Sequence, residues 1–355
     1  REDMAEGRGP DRAAEFYRAR REEMDAGAEV SWPSRVRDGE ISALQTAENL
    51  LIEMGSEAFH AEMQNDPQEV TDMAYNLTTE IVLAHSTAIP KLALPEAVTV
   101  FTGFCDINRA GLHWCVAGFA QDMTGHSPAY GRWPAHGELW KKNAPELDRK
   151  RAIFGGLKAV CDGLANTVFV RSGVRIQLGT LLIDRGYEPD VVHKFAAAAS
   201  YPFRVMPARG YAAHKYYPHK STLVGRPFEG CHVVRSDFGQ FLAFDADRWR
   251  ETAQRAWLAD PGAPGGFTLF QGEGPRYHIA FAEQVVAEKL SNKYETDQGI
   301  RWEWRHQPGA LWDWGDAVTG CWVGAAAAGL SPSGEPAIKR QRPKAHVVIH
   351  RPGRR

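Results

Sequence analysis

The chain has 355 residues, enough for one large domain or two ordinary ones with a substantial core. Its composition is 43% hydrophobic and 24% charged with a mean hydropathy of -0.40, and no apolar run approaches the ~18 residues a membrane span needs. The formal net charge of -2 excludes a uniformly basic nucleic-acid coat, so any nucleic-acid site must be local.

The pattern along the chain predicts a charged helix over 11–27 and a second helix from about 41, where Leu44, Ala47, Leu51 and Met54 fall on one face. A further helix over 70–84 leads to a Pro-bounded connector at 90–95, where a domain boundary is expected. Apolar strands then read over 98–106 and 112–119, joined by a hairpin turn, with a short third strand at 129–133. A helix over 145–166, a strand over 174–183, a Pro189-initiated helix to about 199 and a strand over 203–206 complete an α/β pattern. Beyond it, strands at 230–235 and 238–244 form a hairpin and a helix covers 245–258. After a loop at 261–266 come a helix over 277–290, a Trp-rich strand at 300–305 and a small-residue-rich helix over 313–330.

Familiar motifs are missing. There is no Gly-Lys dipeptide for a P-loop, no HExxH and no GxSxG, so the chain is not a self-contained P-loop ATPase, zinc protease or common serine hydrolase. The five cysteines (Cys105, Cys115, Cys161, Cys231, Cys321) contain no CxxC pair, which argues against a disulfide framework or structural zinc and for a reducing, cytosolic setting. No signal peptide is visible in the charged residues 1–12, and an initial Arg is expected for a piece of a longer polypeptide.

Three aspartates occupy special positions. Asp106 and Asp184 each end an apolar strand, and Asp316 lies in the first turn of the last helix. Each also has a local role open to it, in a turn or at a helix N-terminus. On that last helix Asp316, Gly320 and Gly324 recur at four-residue steps, a face nearly bare of side chains that can lie close against a sheet. If it does, three carboxylates meet with no Lys or Arg expected between them. Such a cluster repels itself unless metal neutralises it, and oxygen-only ligands favour Mg²⁺ or Mn²⁺. Two such ions can activate water and stabilise the leaving oxygen in phosphodiester cleavage, the chemistry of RNase H-like nucleases.

Residues 104–108 (FCDIN), 182–187 (LIDRGY) and 312–318 (WDWGDAV), in that order and followed by an Ala-rich helix, resemble the nuclease domain of the large terminase subunit of tailed bacteriophages, of the lambda-like class. Upstream, 30–33 and 59–67 resemble the segment that follows the packaging ATPase there. The resemblance implies an α/β, RNase H-like mixed sheet flanked by helices over 96–332, a helical linker region over 1–95 and a basic tail over 333–355. It also implies a metal-dependent endonuclease that cuts concatemeric double-stranded viral DNA in the host cytoplasm. Asp106 would bridge two Mg²⁺ or Mn²⁺ ions, with Asp184 and Asp316 holding one each. A packaging ATPase domain, a small terminase subunit and a portal are the implied partners. In the last motif Trp314-Gly315 depart from the family pattern, leaving open whether Asp313 shares the metal. Two other readings remain, an RNase H-like resolvase or transposase-type nuclease and a non-catalytic module that docks DNA or a motor.

For DNA contacts the best stretch is 204–220, where Arg204, Arg209, Lys215 and Lys220 interleave with Tyr211, Tyr216 and Tyr217 and could grip phosphates and stack on bases, although a solvated loop fits as well. Trp302, Trp304, Trp312 and Trp314 read as core or interface aromatics. Seven Lys or Arg with no acid make 339–355 a basic tail, either solvated or in contact with phosphate.

Overall fold

The structure, a computed structural model, describes residues 10–28, 30, 32–54, 76–219, 221–225, 228, 230–296 and 299–331. Contacts divide the chain into two units, 1–76 and 77–355. The first holds helices α1 (Pro10–Ala19), α2 (Arg21–Asp25) and α3 (Ala43–Met54). The break at Arg20 replaces the single helix expected over 11–27.

The second unit is built on one eight-stranded sheet. It begins with α4 (Thr79–Ala84), whose N-terminus is capped by the Thr78 hydroxyl, and the two-residue strand β1 (Ala93–Leu94). Strands β2 (Val100–Ile107), β3 (Leu112–Phe119) and β4 (Gly125–Trp133) form an antiparallel meander. Helix α5 (Glu146–Asn166) and the small hairpin β5 (Phe169–Arg171) and β6 (Val174–Ile176) lead into β7 (Thr180–Asp184). Helix α6 (Pro189–Ala198) connects β7 to β8 (Arg204–Tyr211), and the hairpin β9 (Cys231–Ser236) and β10 (Gly239–Asp245) follows. The remaining elements are α7 (Ala246–Leu258), β11 (Phe267–Leu269), α8 (Ile279–Val285), the two-stranded ribbon β12 (Glu288–Thr296) and β13 (Gly299–His306), and α9 (Asp313–Ala327).

The sheet order is β11-β4-β3-β2-β7-β8-β10-β9. β7 lies parallel to β2 and β8 parallel to β7. Because side chains alternate along a strand, β2 and β7 divide their residues between two apolar layers. Phe104 and Leu182 belong to the layer shared with α7, α8 and α9, whereas Cys105 and Ile183 face the layer shared with α5 and α6. Burial on both faces explains why these strands read as continuous apolar runs in the sequence.

Several expectations need correction. The strand predicted over 174–183 is two strands: Ser172 and Gly173, both at positive φ, turn β6 back onto β5, and the chain re-enters the main sheet only at Thr180. The helix predicted over 277–290 stops at Val285, because Glu288 opens β12 and its side chain is drawn into the interior by Arg250. β8 runs on to Tyr211, so half of the supposed loop at 204–220 is strand. β4 starts earlier than expected, its polar residues His126 and Ser127 being buried with partners in Thr268 and Cys115. The short strand β11 carried no sequence signal. The five cysteines are free and buried. Among the described residues no helix is long and apolar enough to cross a membrane.

Candidate active site

Asp106 and Asp184 are set side by side by strand pairing. β2 and β7 are parallel neighbours whose last paired residues are Cys105 and Ile183, so each aspartate comes one step later at the carboxyl end of its strand, about 4.8 Å from its neighbour strand. Both share the parity of Phe104 and Leu182 and therefore face α9. Asp184 also accepts a hydrogen bond from the Gly186 amide at 3.0 Å, the turn role that the sequence left open.

Helix α9 brings the third acid. A Cβ placed on Gly320 would lie 1.9 Å from Phe104 Cδ2, and one on Gly324 would lie 2.1 Å from Thr102 Oγ1. The bare face thus lies directly on β2. Four residues of helix rise about 6.0 Å and two residues of strand about 6.7 Å. The two repeats keep step: Gly324 sits on Thr102, Gly320 on Phe104, and the next step sets Asp316 toward Asp106. The first turn of α9 is pinned by the Trp314 amide to Gln284 Oε1 at 3.1 Å and by the Trp314 indole to the Gly131 carbonyl at 3.0 Å.

The three aspartates line one cavity of about 300 Å³, together with Asp247, Arg250 and Trp304. Burial, and then the charges of Asp316, Asp184 and Asp313, push the Asp106 carboxyl well above its ordinary range. Burial is also the main cause that moves Asp184 up to about 7; the Gly186 amide opposes it, Asp316 reinforces it, and Arg209 opposes it again. Asp313 is pushed up to about 6 by burial and Asp316.

One expectation about this site is overturned: a cation does stand among the acids. Arg250 on α7 donates from its Nη2 to Asp316 at 3.0 Å and from Nε lies 2.8 Å from Glu288, with Asp247 at 3.9 Å. Burial works against the Arg250 charge, but Glu288 and Asp316 outweigh it, so the guanidinium is held charged. Sequence reasoning passed over Arg250 and Glu288. Arg250 is one of several basic residues on an amphipathic helix, and Glu288 fell inside a predicted helix, so neither carried a signal.

Asp313, left open by the sequence, has its own partners. It accepts a hydrogen bond from Asn108 Nδ2, and its other oxygen lies 3.6 Å from Nδ1 of His113, which pairs across the strands with Asp106. Burial, then Arg132, pushes His113 down to about 4, so this buried imidazole is neutral.

The predicted DNA contacts scatter. Arg209 is exposed and near enough to act on Asp184 electrostatically. Arg204 pairs with Thr180 at the opposite end of β7, four residues or about 13 Å of strand from the Ala208 that pairs with Asp184. Lys215 is exposed in the short helical turn Ala213–Lys215. The Tyr216 hydroxyl is bonded to His232 Nδ1 at 2.8 Å. Lys220 and the basic tail lie outside the described residues, as do the upstream segment 59–67 and the side chain of Trp302. Trp304 lines the cavity, Trp312 stacks on His306 at 3.7 Å, and Trp314 meets His113 edge to face.

The donor chemistry fits a hard divalent cation: carboxylates only, gathered on one cavity and raising one another's proton affinity. Among the described residues no three His, Cys, Asp or Glu side chains are grouped so as to hold an ion as they stand. Asp316 is engaged by Arg250 instead.

The five consecutive strands β4-β3-β2-β7-β8, a meander followed by two strands parallel to its first member, have the RNase H-like order, with acids at the carboxyl ends of the two central strands. No family model matches the sequence, and no curated protein matches it. Among solved structures, the chain is similar to a mutant nuclease domain of the large terminase subunit gp2 of bacterial virus Sf6, with manganese. The TM-score is 0.38 and the identity 11%, over 69% of this chain and 97% of that one.

Proposed function

We propose that this chain is a metal-dependent endonuclease that cuts double-stranded DNA, and in particular concatemeric viral DNA during genome packaging. The observation that carries the reading is the delivery of Asp106, Asp184 and Asp316, from two neighbouring strands and a helix, to a single cavity. Asp106, Asp184 and Asp316 would together hold Mg²⁺ or Mn²⁺ at this cavity. Bound there, the ions would supply an activated water and neutralise the charge that develops on the leaving oxygen.

The chain's own residues have separate tasks. Asp184 is held by the Gly186 amide, which fixes its carboxylate at the cavity wall. Arg250 keeps Asp316 in place through its 3.0 Å contact. The Asn108 amide holds Asp313, with the neutral His113 beside it, and Asp313 opens the first turn of α9 that carries Asp316.

The test is plasmid nicking in Mn²⁺ or Mg²⁺. Asp106→Asn and Asp184→Asn should each lower the rate by roughly 10²-fold or more, with unchanged circular dichroism. Full activity in either folded variant overturns the reading. Linear duplex should be cut as readily as branched DNA, which separates this activity from a resolvase.

A further inference from the structure

The segment between β4 and α5, residues 134–145, is absent from the site just described, yet it is built across the same strand ends. Arg132 ties its start to the β2–β3 turn, donating to the carbonyls of Ala110, Ala135 and Gly137. The Leu139 amide then bonds the Arg109 carbonyl at 2.9 Å, three residues beyond Asp106. Trp140 is buried and stacks on Tyr187, three residues beyond Asp184, with ring centroids 5.4 Å apart and planes inclined by 6°. The segment is therefore fastened to the turn after each strand-end aspartate. Leu139 and Trp140 pack into the apolar layer of the α5 and α6 face, so it lies along the strand ends on the side away from α9.

What this anchoring presents is positive charge. Lys141 and Lys142 are exposed immediately after Trp140, on a turn closed by the Ala144 amide to the Lys141 carbonyl at 2.8 Å. Glu138 is paired with Arg109 and cancels it. The cavity itself repels a polyanion, and Arg250, its cation, is already bound to carboxylates. Phosphates approaching Asp106 must therefore be held from the rim. Arg209, exposed on β8 beyond β7 from the segment, adds a cation near enough to act on Asp184.

We infer that residues 134–145 form a DNA-backbone clamp in which Lys141 and Lys142 hold duplex phosphates beside the Asp106 cavity. The inference rests on the nuclease reading for its occupant. A rigid anchor matters because a pre-ordered backbone loses little conformational freedom on binding, and each phosphate neutralised contributes about -0.9 to the slope of log K against log salt.

The experiment is a fluorescence-anisotropy titration of a labelled linear duplex over a range of salt, using the full chain without divalent metal, alongside plasmid nicking in Mn²⁺. Lys141→Glu/Lys142→Glu should weaken binding by about tenfold or more at low salt and make the salt slope shallower by roughly two. Arg175→Glu, an exposed charge on β6 near the other end of β7, should change neither. An unchanged affinity and slope in the double-lysine variant overturns the clamp, as does an equal loss in Arg175→Glu. The nicking assay separates the two ideas. Wild-type nicking with an unaltered lysine slope removes the clamp and leaves the nuclease, whereas an altered slope without wild-type nicking removes the nuclease and leaves a duplex-binding surface.

Discussion

Arg250 sits among the carboxylates of the proposed catalytic cavity. Its side chain is 19% exposed and its contacts with Asp316 and Glu288 are close, so it serves as a counter-ion for carboxylates that would otherwise face one another unpaired. Removing one partner of a buried ion pair is costly because the charges left behind stay buried. Arg250→Met should therefore lose about 3–5 kcal/mol of stability in metal-free urea melts, and added Mn²⁺ should restore part of it, the ion replacing the lost charge. An equal loss with and without Mn²⁺ would show that Asp316 and its neighbours do not take up the ion. At this scale the sequence disclosed the three aspartates because strand ends and a helix first turn are local features. It concealed Arg250, whose partners Glu288 and Asp316 are brought to it only by the packing of α7 against the ribbon and α9.

Among the elements, α9 and β2 make the decisive contact. The helix can approach the strand only where it carries no side chain, and Gly320 and Gly324 supply that face. Gly320→Ala would drive a methyl into Phe104, and either the helix or the ring must move. We expect a loss of about 1–3 kcal/mol, with nicking reduced by more than the unfolded fraction explains, because Asp316 shifts with the helix. Gly155→Ala on the exposed face of α5 is the contrasting case. Nothing lies within 4 Å of the new methyl, so thermal melts should show unchanged or slightly higher stability, up to about 1 kcal/mol. This contact was legible in advance from the four-residue recurrence of Asp316, Gly320 and Gly324. The ribbon β12–β13 was not, since the apolar spacing around 277–290 suits a helix and the strand that pairs with Glu288 and its neighbours comes later in the chain.

For the molecule as a whole, the acidic centre makes stability depend on pH. The Asp184 carboxyl, ordinarily near 3.8, stands at about 7 in the folded chain. A raised carboxyl holds its proton in the folded state while the unfolded chain releases it, so its contribution is fully present below pH 4 and is lost as pH rises toward 7. The buried imidazoles of His113 and His126, both pushed down to about 4, act in the opposite sense over part of that range. The carboxyl is therefore read as the difference between wild type and Asp184→Asn. In EDTA the variant should gain on the wild type as pH rises from about 4 to about 7, and saturating Mn²⁺ should cancel the gain. A difference that stays flat with pH would mean that Asp184 ionises freely and that the acids do not share one field.

The sequence by itself determined the strand–helix order of the central sheet apart from its edge strand β11, the places of the three acids at strand ends and a helix start, and the bare helix face, because alternation, caps and four-residue spacing are written within a few neighbouring residues. Tertiary structure alone decided that contacts divide the chain after Asn76, that Arg250 joins the acids, that Asp313 is held by Asn108 beside His113, and that the 134–145 segment is fastened to both strand-end turns. Each of those contacts joins residues far apart in the chain, and only the packing of the sheet and its helices brings their charges and rings within reach.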